Sequence, residues 1–172
     1  SPFRLPVHGF SDFVTYTTSS DAIDKKVNSI SYWQQQLSPL PAPFTIDYDN
    51  KDSQKQSFDA CAALQKLNVE IYSKIKSFAN GNGVSFFAVL FAGFAKQLQQ
   101  RSAVNDLTIS TTVAGHSLAG MEDAVGRFVN IVPVRIQTSS DIDFSGLCRY
   151  CHKRILENSS TTSIGFEEIF RE

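Results

Sequence analysis

The segment Gly126-Arg-Phe-Val-Asn-Ile-Val-Pro-Val-Arg135 decides the fold class, because it predicts a strand that is apolar on both faces. Residues Phe128 to Ile136 lack the alternation of a half-exposed strand, which is typical of a central position in a sheet. Pro133 removes a backbone donor, so we expect that point to lie at an edge, a bulge or a crossover. Asn130 is unusual in such a strand, since a buried amide without partners costs about 1–3 kcal/mol. Either Asn130 ties a bulge or a neighbouring loop, or it belongs to a functional site.

The residues around this segment predict helices that alternate with strands. Leu107 to Val113 alternate between apolar and polar residues and predict another strand. Residues that can cap a helix N-terminus precede each predicted helix except the last, which we expect between Ile164 and Arg171. The capping residues are Asp24, for a helix to Leu37; Asn68, for a helix that stops at Asn80 to Gly83; Ser85; and Asp143. This order favours an α/β fold.

The helix after Ser85 has the most apolar sequence of the chain. Phe87, Phe91, Phe94 and Leu98 recur every three or four residues, and Phe86 and Leu90 widen the stripe. Such a stripe predicts a buried helix face, so we expect these side chains at the centre of the core.

The first third of the chain is less regular. Ser1 to Asp21 predicts an extended lead-in with one ordered patch, Phe10 to Tyr16, and Thr45 to Gln56 is the best linker candidate. Alternation within Ser57 to Lys66 favours a strand. We therefore divide the chain into residues 1–56, a lead-in segment, helix and linker, and residues 57–172.

Composition narrows the possible functions. The 172 residues are 42% hydrophobic with a formal charge of −1, which argues against nucleic acid or an acidic membrane as the main partner. The longest apolar run, Phe86 to Ala95, is about half of the roughly 20 residues that a membrane span needs. Three cysteines without a visible secretion signal indicate reduced thiols, and hence a cytoplasmic protein. The chain starts without Met, so we expect it to be processed or cut from a longer protein.

One stretch, Cys148-Arg-Tyr-Cys151-His152, has the spacing that attaches c-type haem. The two cysteines also share the apolar face of a predicted helix with Leu147, where free cysteines pack as small hydrophobes. Zinc would need four ligands, so we expect neither haem nor a metal at this stretch. None of the histidines, His8, His116 and His152, has a spacing that predicts an orienting acid, and we assign no catalytic residue.

Five segments together resemble the condensation domain family of nonribosomal peptide synthetases. The most specific is Val125 to Arg135, which resembles the family's Gly-x-Phe-Val-Asn strand. The other segments, in the family's order, are Phe10 to Phe13 with Tyr16; Ser31 to Leu37 with Pro39 and Pro41; Asp106 to Gly115; and Phe166 to Ile169.

The sequence also departs from the family. The motif His-His-x-x-x-Asp-Gly, whose second histidine assists attack of the amine, does not occur in these 172 residues. Ser110, Thr112 and His116 stand where the family often has Gly, Pro and Arg, and Ser163 lies in another altered stretch. We therefore expect the chain to be inactive alone.

The resemblance implies a chloramphenicol acetyltransferase-like fold made of two related halves with a reaction tunnel between them. This chain would be a half-domain, a two-layer α/β sandwich with a mixed sheet, in which residues 57–172 form an incomplete C-terminal subdomain. Donor and acceptor carrier proteins would present substrates on phosphopantetheine arms, and an amide would form between them. The chain itself would bind no cofactor, and Gly126, Phe128 and Asn130 would line the tunnel.

Two alternatives to amide synthesis stay open. The altered positions Ser110, His116 and Ser163 are compatible with a non-catalytic domain of the same fold that recruits a partner protein. An epimerisation domain or a free acyltransferase is the other alternative. A half-domain would expose apolar surface, so we expect it to pair with the missing N-terminal half or with another copy.

Overall fold

The computed structural model describes residues 8–44, 46, 61–114, 120–121, 123–138, 141–161 and 164–170. These residues form six helices and two strands. In chain order they are α1 (Phe10–Thr17), α2 (Ser20–Leu37), α3 (Val69–Asn82), α4 (Phe86–Ser102), β1 (Asp106–Val113), β2 (Asn130–Gln137), α5 (Phe144–Ser159) and α6 (Phe166–Ile169).

The described residues divide into two compact units that interleave along the chain. Unit 1 takes its residues from Ser1–Pro41, Asp106–Gln137 and Lys153–Glu172, and unit 2 from Ala42–Asn105 and Thr138–His152. Helix α5 therefore begins in unit 2 and ends in unit 1. The division at residue 56 stays a prediction.

Unit 1 is built on an antiparallel pair of strands. β1 and β2 pair from Asp106 opposite Gln137 to Val113 opposite Asn130, with Pro133 opposite Ser110. Among the described residues each strand pairs along one edge only, and Pro133 therefore lies on an edge strand, one of the places expected for it. Among the described residues the sheet contains no parallel pair, so it is antiparallel where we expected a mixed sheet. Trp33, Leu37, Val132 and Ile164 form one hydrophobic cluster of this unit.

Unit 2 contains α3, α4 and the first part of α5, and their predicted boundaries are confirmed. Asn68 Oδ1 accepts from Ile71 N at 2.8 Å, and Ser85 Oγ accepts from Ala88 N at 3.1 Å. Gly83 ends α3 with φ of +65°, a conformation that glycine adopts without strain. Asp143 Oδ1 accepts from Gly146 N at 2.7 Å at the start of α5.

Four other predicted elements differ from the structure in their type or in their boundaries. α2 begins at Ser20 because Ser19, not Asp24, caps it, with Ser19 Oγ accepting from Ala22 N at 3.3 Å. The ordered patch at Phe10 is a helix, and β2 begins two residues after Phe128. The predicted strand at 57–66 is irregular over 61–66, where every residue is exposed. Residues 57–60 and most of the predicted linker lie outside the described residues.

The buried face of α4 was predicted wrongly. The buried side chains are Ala88, Val89, Phe91, Ala92, Ala95 and Gln99, whereas Phe87, Leu90 and Phe94 are 47%, 43% and 55% exposed. Small alanine side chains let α4 approach its neighbours closely, so the alanine face packs inside and most of the phenylalanine face does not.

Within the described ranges no single helix has the length and apolarity to cross a membrane. α3 and α4 reach that length and composition jointly, but they bend by 102° at the break between them.

Candidate functional site

The three predicted tunnel residues lie together in unit 1, on the segment that leads into β2. Phe128 is buried and packs with Met121, Ala124 and the ring of Phe13. Gly126 is exposed two residues earlier, and Asn130 is half-buried as the first residue of β2. The three residues share one short segment because they lie within five consecutive positions of the sequence, and their role in a tunnel stays a prediction.

Three aromatic rings hold this segment against α1. The Phe128 ring lies edge-on to Phe10 at 5.3 Å and to Phe13 at 5.1 Å between centroids, and Phe10 and Phe13 stack at 5.9 Å. Edge-to-face pairs of this kind contribute about 0.5–1.5 kcal/mol beyond their burial. The cluster thus fixes the position of α1 relative to the start of β2, a contact between residues far apart in sequence.

Gly126 is required at its position by close approach. A Cβ at this residue would lie 2.7 Å from Phe10 Cγ and 2.9 Å from Phe10 Cβ, which is shorter than any ordinary contact. Because Phe10 Cβ belongs to the rigid start of its side chain, a rotation of the ring alone would not make room. The glycine in this segment therefore serves the docking of α1.

Asn130 uses its amide to tie two parts of unit 1 together. Its Nδ2 donates to the Ile164 carbonyl at 2.8 Å, and its Oδ1 accepts from Ile131 N at 2.8 Å. Of the two roles left open by the sequence, the tie to a neighbouring loop is the one this geometry shows. It holds residue 164, just before α6, against the start of β2.

A second polar network lies along β2 and fixes α2 and the end of α5. Asn158 Nδ2 donates to the Pro133 carbonyl at 2.8 Å, and Tyr32 Oη donates to Asn158 Oδ1 at 2.6 Å. Burial, followed by the nearby charge of Glu157, raises the pKa of Tyr32, so its hydroxyl keeps the proton that it donates. No local sequence pattern indicates this network, because its members are more than about 20 residues apart.

Arg135 joins β2 to β1 and to the end of α2. Its Nε and Nη2 donate to the two Asp106 carboxylate oxygens at 2.9 and 2.7 Å, a bidentate pair, and its Nη1 donates to the Gln36 and Ser38 carbonyls at 3.4 Å. The guanidinium therefore also satisfies carbonyls at the C-terminus of α2, where a helix lacks partners.

The described imidazoles lie in different environments. His8 Nδ1 is 3.8 Å from Asp12 Oδ2, a pairing that the sequence spacing of four residues could have predicted and that we missed. His152 Nδ1 accepts from Ser85 N at 3.4 Å, next to the start of α4. His116 lies outside the described residues, as does Ser163.

The two cysteines of the haem-like spacing pack in the core, as predicted. Cys148 and Cys151 are fully buried on α5, and burial raises the pKa of both thiols, that of Cys151 to about 12. A protonated, buried thiol is a poor metal ligand and a poor nucleophile. In the part of the chain that the structure describes, no three His, Cys, Asp or Glu side chains are grouped as metal ligands would be.

The sequence of this chain is similar to a known protein family and to parts of several large synthetases. The chain matches the Condensation domain family over residues 1–172. It is 25% identical to a cyclosporin synthetase from Tolypocladium inflatum over 169 residues, or 98% of this chain and 1% of that protein. An enniatin synthetase from Fusarium oxysporum is 25% identical over 166 residues, or 96% of this chain and 5% of that protein. The chain thus spans a small fraction of the length of these relatives.

Solved structures show the same fold. The condensation domain from the Monacolin K polyketide synthase MokA matches with a TM-score of 0.80 at 14% identity, over 98% of this chain and 41% of that one. The X-domain from teicoplanin biosynthesis matches with a TM-score of 0.78 at 21% identity, over 98% of this chain and 39% of that one. These likenesses confirm the predicted α/β fold class.

Proposed function

The chain belongs to the condensation domain family, and from this premise we propose that it is part of a domain that makes amides in nonribosomal peptide synthesis. Such a domain joins a carrier-bound acyl thioester to a carrier-bound amine. The observation that carries the proposal is the family match, which extends over every residue from 1 to 172.

The reaction needs positioning more than a strong catalyst. The amine nitrogen attacks the thioester carbonyl, the C–N bond forms, the C–S bond breaks, and the donor arm leaves as a thiol with the proton from nitrogen. When two carriers present both reactants at one point, the attack becomes effectively unimolecular, which can supply about 7–11 kcal/mol of the barrier. The phosphopantetheine arms belong to the carriers, and we propose no cofactor bound by this chain.

We assign the segment Gly126 to Asn130 to the wall of the substrate tunnel. Two features support the assignment: the aromatic cluster holds the segment through Phe128, and Asn130 is fixed at both ends of its amide. A wall that positions a flexible arm must itself be rigid. Gly126 is exposed beside this anchored ring and would present backbone to the arm.

The proton-handling histidines of the family are absent from this sequence, so we propose that they belong to the complementary N-terminal half of the domain. On this proposal the chain alone does not catalyse amide formation.

A partner-recruiting domain of the same fold is the second candidate. A solved complex of the X-domain and OxyB from teicoplanin biosynthesis matches this chain with a TM-score of 0.79 over 98% of its length. The changes at Ser110, His116 and Ser163 would accord with such a role.

A carrier-loaded assay tests the proposal on the full-length protein that carries this chain. Donor and acceptor carriers are loaded with acyl and amine groups, and the amide on the acceptor arm is measured by mass spectrometry. We expect product, and at least a tenfold lower rate for Asn130→Ala, about 1.4 kcal/mol in the barrier. Lys76→Ala, on the exposed face of α3, is the matched control and should keep the rate. Loaded carriers without any amide product would contradict the proposal and favour recruitment.

A further inference from the structure

One peptide group in unit 1 is bound at both of its polar ends by side chains from different parts of the chain. It is the peptide that joins Ile164 to Gly165, just before α6. Its carbonyl oxygen accepts from Asn130 Nδ2 at 2.8 Å, and its N–H donates to Glu168 Oε2 at 3.1 Å. The peptide therefore connects the amide of Asn130, in the segment assigned to the tunnel wall, to the carboxylate of Glu168 on α6.

The carboxylate of Glu168 is held in turn by a lysine on α2. Lys26 Nζ lies 2.5 Å from Glu168 Oε1, so the two oxygens of this carboxylate have different partners. A glutamate side chain that lacks a partner samples several rotamers, and an ion pair at one oxygen restricts where the other oxygen can lie. Lys26 thereby keeps Oε2 facing the N–H of Gly165.

We propose that Lys26 is a positioning residue for Asn130, acting through the Glu168 carboxylate and the peptide that it binds. The inference rests on the proposed function, because the position of Asn130 matters to the reaction only if this residue belongs to the tunnel wall. An N–H that donates to a carboxylate moves electron density onto the carbonyl oxygen of the same peptide, which then accepts more strongly from Asn130 Nδ2. Asn130 Oδ1 accepts from Ile131 N at 2.8 Å, so both ends of the amide depend on one orientation.

The segment around this peptide has other attachments to unit 1 besides the ion pair. The Ile164 side chain is 2% exposed within its hydrophobic cluster, and Trp33 Nε1 donates to the Thr161 carbonyl at 3.2 Å. The side chains of Lys26 and Glu168 are 40% and 41% exposed, and ion pairs of such exposure add little to overall stability. Loss of the pair should therefore loosen the orientation of Asn130 and leave the fold intact.

Hydrogen exchange of single amides, measured by mass spectrometry on the full-length protein that carries this chain, tests the proposal without any reaction. The variant is Lys26→Met, since methionine keeps the unbranched stem and the helix propensity of lysine and removes the charge. We expect exchange to be about two- to threefold faster at the N–H of Gly165 and also at the N–H of Ile131, which Asn130 accepts. The melting temperature should stay within about 2 °C of that of the unmodified protein. Faster exchange at Gly165 alone, or at neither amide, would overturn the proposal, because the effect of Lys26 would not reach Asn130.

The neighbouring lysine gives the matched control. Lys25 Nζ lies 2.8 Å from Asp21 Oδ2, so Lys25→Met removes an ion pair of the same helix by the same substitution. It should leave exchange at Gly165 and Ile131 unchanged. An equal rise in the control would show that loss of any charge on α2 loosens these amides, and would overturn the role given to Lys26.

The carrier-loaded assay measures the effect on the reaction. We expect Lys26→Met to lower the rate of amide formation about two- to threefold, and Lys25→Met to keep the unmodified rate. Combined with Asn130→Ala, Lys26→Met should lower the rate no further, because the group that it positions is absent. A further loss of about two- to threefold in the double variant would overturn the proposal, since Lys26 would then act by another route.

Failure of this inference and failure of the proposed function give different results. Loaded carriers without any amide product contradict the proposed function, whereas the exchange experiment still measures whether Lys26 orients Asn130. Amide formation that Asn130→Ala slows and Lys26→Met does not slow overturns only the positioning role of Lys26.

Discussion

The ring and the Cβ of Phe10 occupy the space in which a Cβ at position 126 would lie. Gly126 precedes an apolar strand and lies two residues before Phe128, but the sequence alone does not show why this position needs a glycine. The reason lies on α1, more than about 100 residues earlier, and no local pattern connects the two positions. The contact between Gly126 and Phe10 is therefore visible in the structure and not in the local sequence.

Gly126→Ala should destabilise unit 1 by about 1–3 kcal/mol, because the added methyl group must displace Phe10 from the aromatic cluster. Urea unfolding followed by circular dichroism measures the change. Gly81→Ala, inside α3 with nothing within 4 Å of an added Cβ, is the matched control and should be neutral or stabilising by up to about 1 kcal/mol.

The combination of Gly126→Ala with Phe10→Ala identifies the cause. Phe10→Ala removes the ring atoms that the added methyl group would meet, including Cγ at 2.7 Å, and leaves only the contact with the Cβ of residue 10 at 2.9 Å. The double variant should therefore be less destabilised than the sum of the two single variants. Strict additivity would show that Phe10 is not what Gly126 accommodates.

At the scale of elements, three of the four predicted capping residues are confirmed and Asp24 is wrong, whereas the predicted buried stripe is confirmed on α5 and wrong on α4. Asn68, Ser85 and Asp143 each make the predicted cap, because a cap depends on side chain and backbone within three residues. The buried face of α4 depends on what surrounds the helix. α4 has a phenylalanine face and an alanine face, both apolar, and periodicity alone cannot rank them.

The bidentate pair between Arg135 and Asp106 connects β2, β1 and the end of α2. The two side chains are 12% and 28% exposed, so solvent screens the pair less than it screens a surface ion pair. Arg135→Lys keeps the charge but loses the forked geometry, and we expect it to destabilise the chain by about 1–3 kcal/mol in urea unfolding.

The exposed pair of Lys153 and Glu157 on α5 gives the matched control. Its nitrogen and oxygen are 3.7 Å apart, and the lysine side chain is 77% exposed. Lys153→Ala should change the free energy of unfolding by less than about 0.5 kcal/mol. An equal effect of the two substitutions would contradict the role given to Arg135.

At the scale of the whole molecule, the candidate site depends on contacts between distant parts of unit 1. The start of β2 touches α1 through Phe10 and Phe13 and the segment before α6 through Ile164. The sequence resemblance assigns the same segment to the tunnel wall from its motif, and that assignment stays a prediction. The partners of Asn130 and Phe128 could not be predicted, because they depend on how helices and strands meet across more than about 30 residues.

The three cysteines allow the integrity of the folded chain to be measured directly. Cys61 is exposed in an irregular segment, whereas Cys148 and Cys151 are buried on α5. A thiol reagent needs an accessible thiolate, so Cys61 should react at once and the other two only when the structure opens. We expect one fast thiol in native buffer, three in denaturant, and none fast in Cys61→Ser; three equal rates in native buffer would contradict the burial of α5.

The same thiols predict how stability changes at alkaline pH. Burial raises the pKa of Cys151 from its ordinary value of 9.0 to about 12, so the folded chain binds this proton more tightly than the unfolded chain does. The stabilisation is complete below about pH 9 and is lost as the pH rises towards 12, because the unfolded thiol ionises first. Cys151→Ala removes this titration, so the difference in unfolding free energy between the unmodified chain and the variant should shrink between about pH 9 and about pH 11. A constant difference over that range would show that the Cys151 thiol does not titrate at a raised pKa.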